Sequence, residues 1–226
     1  MLIINSTKKY LKDLASIFLY AHAYRKYSKY TMVPQKDYID CLSLVSKFKK
    51  INGCVIECGV WRGGMIAGIA DVYGKERQYY LFDSFEGLPE PKEIDGEDAL
   101  TWLASKEKAP NYYDNCKAEI EWAQKAMRKA KAPNVSFLKG WFNDTVTKFQ
   151  PKEPIAILRL DGDWYDSTIV CLEYLFPHVA AGGLIILDDY YAWDGCSRAL
   201  HDYLSKYKRS ERITKAYTSG CFLIKK

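Results

Sequence analysis

Long apolar runs are missing from this chain, and none approaches the roughly 20 residues needed to cross a bilayer. The opening MLIINSTKKYLKDLASIFLY sets charges where a signal peptide needs its apolar stretch, and no small-residue cleavage site follows. A soluble, cytoplasmic protein without a membrane span is therefore expected. The seven cysteines form no C-x-x-C pair, and Cys54 and Cys58 would lie about 13 Å apart on a strand, too far to share zinc. Free thiols in a reducing compartment are the simpler reading. Histidine is scarce: His22, His178 and His201 all fall in helical patterns. The G-x-G-x-x-G of dinucleotide binders is absent, as is a Tyr-x-x-x-Lys pair after the fourth strand pattern, which disfavours a nicotinamide oxidoreductase.

The charge is unevenly spread. The net +5 divides into +7 for residues 1–50, −8 for 51–205 and +6 for 206–226. Nucleic-acid binding through the basic ends is one alternative. A nucleic-acid binder more often carries its positive charge where its chemistry lies, so the acidic centre favours a metal ion over a phosphate backbone.

Residues 1–50 read as a cap of two helices. In the first, Leu11, Leu14, Ala15, Phe18 and Leu19 recur at helical spacing; after Pro34, so do Tyr38, Ile39, Leu42, Val45 and Phe48. Residues 51–226 read as one α/β unit. Strands are predicted at 54–58, 78–83, 135–139, 155–160 and 183–188, with helices near 63–73, 114–131, 143–148, 167–178 and 194–206. Alternation of this kind specifies a mostly parallel sheet with helices on both faces. The ending RITKAY-TSG-CFLIKK adds an antiparallel hairpin, for seven strands in all. Residues 84–113, rich in Pro, Gly, Asp and Glu, form a long irregular stretch suited to a lid.

Three motifs carry the chemistry. In VIECGVWRGG a strand ends at Glu57, and Gly59, Gly63 and Gly64 turn into a helix whose N-terminus offers free N–H groups. An acidic strand end there suits a cationic or hydroxyl-bearing ligand; a plain strand–turn–helix is the alternative. In YYLFDSFEGLP, Asp83 ends the next strand about 25 residues later, where a carboxylate accepts the ribose hydroxyls of an adenine cofactor, or else caps a turn. In LRLDGDWYDST and GLIILDDY two apolar strands run into Asp161 and into Asp188 and Asp189. Neighbouring parallel strands bring these carboxylates to one edge, where a cation would relieve their repulsion, and an all-oxygen set selects Mg²⁺ or a similar hard ion. Asp163 has two readings, support or capping on one side and direct chemistry on the other.

ECGVWRGG, FDSFEGLP, LKGWFNDT, LRLDGDWYDST and GGLIILDDY, in this order, resemble the macrocin and mycinamicin sugar O-methyltransferases, a family that includes the novobiocin sugar methyltransferase. The likeness runs from Tyr30 to Tyr191, about 70% of the chain. It implies a Rossmann-like class I methyltransferase fold, S-adenosylmethionine as methyl donor and Mg²⁺ as a required ion. It further implies that Glu57, Gly59 and Gly63 belong to the first cofactor turn, that Asp83, Ser84 and Phe85 lie along ribose and adenine, and that Trp141 flanks the adenine. YTMVPQKDYIDCL, with Thr31, resembles a segment that helps close over the cofactor. Asp161, Asp188 and Asp189 would hold the metal, with Asp161 also the catalytic base. The resemblance implies a homo-oligomer, a dimer, acting on a sugar hydroxyl of a glycosylated small molecule or glycan; a catechol or other phenolic diol is the alternative acceptor. The chain departs from the family where its antibiotic-modifying members carry a lid histidine. Residues 84–133 contain none, and Tyr112 and Tyr113 stand in the same stretch. The lid sequence itself matches poorly, so the macrolide acceptor does not carry over.

Overall fold

The computed structural model describes residues 17–105 and 114–226. Five parallel strands, β1 (Cys54–Cys58), β2 (Tyr79–Asp83), β3 (Val135–Lys139), β4 (Ile155–Leu160) and β5 (Val179–Leu187), form the body of one sheet. The hairpin β6 (Thr214–Lys215) and β7 (Cys221–Ile224) adds antiparallel to β5, giving the order β3-β2-β1-β4-β5-β7-β6. Chain direction reverses its lateral progress between β1 and β4, and ligands of such sheets bind outside the strand C-termini at that switch point.

Burial on both faces explains why the central strands are nearly all apolar: every residue of β1 and β4 is buried. Alternate side chains divide between two cores. Val55, Leu81, Ile157 and Ile186 pack with α3 (Gly64–Tyr73) and α5 (Ile120–Ala130), together with the N-terminal helices. Ile56, Phe82, Leu158 and Ile185 pack with α7 (Tyr165–Leu175) and α8 (Asp194–Lys206). Each fully buried aliphatic side chain contributes about 1.5–3 kcal/mol of transfer free energy.

The N-terminal part differs from its sequence reading in which face it buries. Helix α1 covers 17–27, while Leu11, Leu14 and Ala15 lie outside the described residues. Phe18 and Leu19 are exposed, and the inward face is Tyr20, Ala23 and Tyr27. The hydroxyls explain this choice. Tyr20 donates to Ser46 Oγ (2.9 Å) and Tyr27 to Asp71 Oδ2 (2.9 Å), so each buries its ring with its polar end satisfied. Helix α2 (Gln35–Ser46) buries Tyr38, Leu42 and Val45 as its spacing predicts. Asp37 of α2 accepts from Thr218 Oγ1 (2.8 Å), tying the cap to the β6–β7 turn.

The stretch 84–113 is not irregular throughout. A short 3-10 turn (Glu93–Asp95) leads into α4 (Glu97–Ser105), which the sequence reading missed. Buried Asp95 holds this segment down, accepting from the Lys92 N–H (2.7 Å) and from the Tyr165 N–H at the start of α7 (2.7 Å). Ala99 and Trp102 of α4 pack on Trp164. Tyr112 and Tyr113 lie outside the described residues.

Candidate active site

The C-terminal ends of β1, β2, β4 and β5 enclose two adjoining cavities of about 300 and 230 Å³ that share Gly59, Asp83, Gly87, Leu88 and Asp161. The larger is walled by Trp141, Phe142 and Asn143, where α6 (Phe142–Thr145) begins, and by Gly162. The smaller is acidic on one side, with Asp161, Asp163, Asp188 and Asp189, and largely apolar on the other, with Met32, Val33, Trp61 and Cys116.

Arg159 forms the floor. It interrupts the apolar β4, and parallel register sets it beside Glu57 of β1. The guanidinium is 1% exposed. Nη1 donates to Glu57 Oε1 (2.8 Å) and to Asp161 Oδ2 (2.8 Å), and Nη2 donates to Asp188 Oδ1. Tyr217, from the β6–β7 turn, donates its hydroxyl to the same Asp188 oxygen. Taking an arginine out of water costs several kcal/mol, which these carboxylates offset. Glu57 Oε2 is buried and has no partner. It belongs to the small cleft lined by Tyr30, Thr31 and Met65. Burial pushes the Glu57 carboxyl up to about 8, against the pull of Arg159.

Asp161, Asp163 and Asp189 each bring one carboxylate oxygen within 4.8 Å of the others. Burial and then the neighbouring carboxylates raise all three: Asp161 to about 6, Asp163 to about 7 and Asp189 well above the usual range. Asp163 has a left-handed backbone (φ 58°), which costs a residue with a Cβ about 1–2 kcal/mol. Its N–H donates to Asp189 Oδ2 (3.1 Å), and its Oδ1 accepts from Trp193 Nε1 (2.9 Å). The acidic group thus contains two of the three expected metal residues. Asp163 joins them, and the third, Asp188, lines the same cavity with its Oδ1 turned to Arg159 and Tyr217.

The other expected cofactor residues separate into those at the cavities and those beneath them. Gly59 (φ 85°) is at both cavities, and a Cβ there would overlap the Asp161 carbonyl oxygen, so close passage of β1 past β4 already requires glycine. Gly63 (φ 79°) packs against α5, where a Cβ would come 2.9 Å from Ala123 Cα, and it borders neither cavity. Asp83 anchors its neighbours: Oδ2 accepts from the Val60 and Trp61 N–H groups (2.7 and 2.8 Å) and Oδ1 from Phe85 (2.6 Å). Burial raises its pKa, opposed by those N–H donors. Ser84 Oγ donates to Gly87 O (2.9 Å) and accepts from the Glu86 N–H (3.0 Å), closing a tight turn. Phe85 is buried in the core. Thr31 Oγ1 accepts from the Val33 N–H (3.1 Å), and Trp141 is 40% exposed at the rim.

Sequence reasoning missed Arg159, Tyr217, Trp193 and Cys116. A charge inside IAILRL was a signal for the first; the other three come from distant segments, with no local pattern.

The sheet order, the switch-point cavities and the acidic strand ends define a Rossmann-like class I methyltransferase fold. The chain belongs to the TylF macrocin-O-methyltransferase family, whose profile matches residues 26–225. It is 35% identical over 179 residues to the 8-demethyl-8-(2,3-dimethoxy-alpha-L-rhamnosyl)-tetracenomycin-C 4'-O-methyltransferase of Streptomyces olivaceus, covering 76% of this chain and 66% of that protein. It is 32% identical over 179 residues to the mycinamicin III 3''-O-methyltransferase of Micromonospora griseorubida, covering 76% of this chain and 68% of that one. Among solved structures, the O-methyltransferase NovP superimposes with a TM-score of 0.70 at 28% identity, over 87% of this chain and 82% of its own. This chain therefore spans about two thirds of the length of these curated relatives.

Proposed function

We propose that this protein is an S-adenosylmethionine-dependent O-methyltransferase acting on a sugar hydroxyl of a glycosylated natural product or glycan, with Mg²⁺ at the acidic group. One observation carries the reading: a buried, unpartnered carboxylate oxygen at Glu57 and a group of three close carboxylates flank cavities that meet at Gly59 and Asp161. Relatives named as methyltransferases of sugar-bearing antibiotics support the acceptor class.

The donor set fits both ligands. Glu57 Oε2 suits the ammonium end of the methyl donor, and Trp141 and Phe142 offer ring surfaces to its adenine. Asp161, Asp188 and Asp189 would hold Mg²⁺, an all-oxygen set that matches a hard cation, with Asp163 beside them and one Asp188 oxygen also bracing Arg159. When bound, such an ion lowers the pKa of a hydroxyl beside it. Methyl transfer to a hydroxyl releases one proton, and Asp161, at the cavity wall, is read as the base that accepts it. Arg159 keeps Asp161 Oδ2 occupied. Asp83 fixes the turn on which the donor rests. Holding both reactants in line contributes on the order of 7–11 kcal/mol to lowering the barrier.

Residues 1–50 are read as a cap on the 51–226 unit, sharing its core where described. Exposed Ile17, Phe18 and Leu19 support a homodimer through α1, and seven free cysteines suit the cytoplasm. Among the described residues no helix is long and apolar enough to cross a membrane. The acceptor reading is tested by methyl transfer from labelled S-adenosylmethionine to a panel of rhamnosides, other glycosides and catechols. Transfer to glycosides is expected; transfer to catechols alone contradicts it.

A further inference from the structure

The turn after β5 places an exposed aromatic ring beside the smaller, acidic cavity. Asp189 lines that cavity, and Tyr191, two residues on, donates its backbone N–H to the carbonyl of Ser219 (2.7 Å), a residue of the same lining. The Tyr191 side chain is half-exposed, yet it is held in place. Asp189 O closes the turn beneath it, accepting from the Ala192 and Trp193 N–H groups (3.0 Å each). The Tyr191 ring stands nearly perpendicular to that of Tyr190, with centroids 4.7 Å apart. Tyr190 is in turn held through its hydroxyl to His201 Nε2 of α8 (2.9 Å). From β6, Lys215 brings Nζ to 4.9 Å from the Tyr191 ring centroid, a cation–π contact. An exposed aromatic ring alone calls for no explanation. One pinned by two neighbouring side chains, next to a cavity, is a preformed contact surface.

We propose that Tyr191 is a specificity-determining residue: its pinned ring is the platform for the first aromatic or apolar ring of the aglycone, next to the sugar that is methylated. The inference rests on the reading above, in which the sugar lies against the carboxylates of the smaller cavity. That cavity holds about 230 Å³. Pockets that enclose a whole drug-sized ligand run to roughly 300–1,000 Å³, so a sugar fills this one and its aglycone lies outside, at the mouth. Tyrosine suits that place. It offers a large ring with few rotors to freeze, and a ring already fixed loses little entropy on contact. Its face favours a planar or apolar partner through burial and through the ring quadrupole.

The test compares two acceptors that share one sugar: the methyl glycoside and the 4-nitrophenyl glycoside of whichever sugar the panel above finds methylated. KM and kcat are measured for the native protein, Tyr191→Ala, Tyr191→Phe and Tyr207→Ala, and S-adenosylhomocysteine is titrated into each by calorimetry. Tyr207, an exposed tyrosine at the C-terminal end of α8, is the control. The native protein is expected to show a KM about tenfold lower for the nitrophenyl glycoside. Tyr191→Ala should abolish that preference through KM and not kcat. Tyr191→Phe, which keeps the ring, and Tyr207→Ala should retain it, with the same S-adenosylhomocysteine affinity in all four proteins. Glycoside methylation with no native preference, or with a preference that survives in Tyr191→Ala, overturns this inference and leaves the sugar reading standing. Failure to methylate any glycoside overturns both. A KM rise in Tyr191→Ala matched by an equal loss of S-adenosylhomocysteine affinity shows general damage to the site and overturns the inference too.

Discussion

Arg159 touches both halves of the site, reaching Glu57 on the donor side and Asp161 on the acidic side. Its three carboxylate partners leave Glu57 Oε2 as the buried oxygen without a bond, and that atom yields the sharpest prediction at this scale. Glu57→Gln keeps an acceptor for Arg159 but replaces the negative charge offered to a cationic ligand. S-adenosylhomocysteine affinity should fall about tenfold or more by calorimetry, since hydrogen bonds to charged groups are worth about 1.5–3 kcal/mol. An unchanged affinity would remove Glu57 from the donor site. Asp163 and Asp188 separate in the same way. Asp188→Asn should weaken Mn²⁺ binding more than Asp163→Asn, which tolerates the left-handed backbone; the reverse order would move the ion to Asp163. Asp188 and Asp189 adjoin in the chain just after β5, and both line the smaller cavity. In the turn after β5, Asp188 Oδ1 meets Arg159, and Asp189 joins Asp161 and Asp163.

Among the elements, the junction of β1 and β4 places the chemistry. Gly59 sits where its left-handed φ and the carbonyl of Asp161 both refuse a side chain. Gly59→Ala should destabilise the fold by at least about 2 kcal/mol, read by urea unfolding, because the strained backbone and the overlap add. A loss below about 0.5 kcal/mol would show that the two strand ends separate freely. The strands of this junction were legible in sequence, since strands buried on both faces must be short continuous apolar runs. Helix α4 was not. EDALTWLAS lies amid Pro, Gly and acidic residues, and packing of Ala99 and Trp102 on Trp164, with the anchoring by Asp95, stabilises it as α4. The inward face of α1 was likewise hidden: Tyr20, Ala23 and Tyr27 also recur at helical spacing, and their satisfied hydroxyls let them turn inward in place of Phe18 and Leu19.

For the whole molecule, the basic ends and acidic centre correspond to separate roles. The basic C-terminal edge is partly consumed internally: Arg209 Nε donates to Glu211 Oε2 (3.1 Å), and Lys226 N to Glu211 Oε1 (3.3 Å). Burial acts to raise the Glu211 pKa, but Arg209 and the backbone N–H groups outweigh it and hold the carboxyl below its usual value. A depressed carboxyl stabilises the fold fully above its unfolded pKa, near 4.3, and loses that contribution as pH falls through the lower folded value. Glu211→Gln should therefore flatten the acid limb of the unfolding-midpoint curve below about pH 4.3; an acid limb identical to the native one contradicts the assignment. The most direct test of the whole account is calorimetric titration of the native protein with S-adenosylhomocysteine, once with Mg²⁺ and once with EDTA. The predicted result is saturable binding in both conditions, because the Glu57 side of the cavities holds the donor without the ion. No binding in either condition would contradict the assignment of these cavities to a methyl donor, and with it the proposed chemistry.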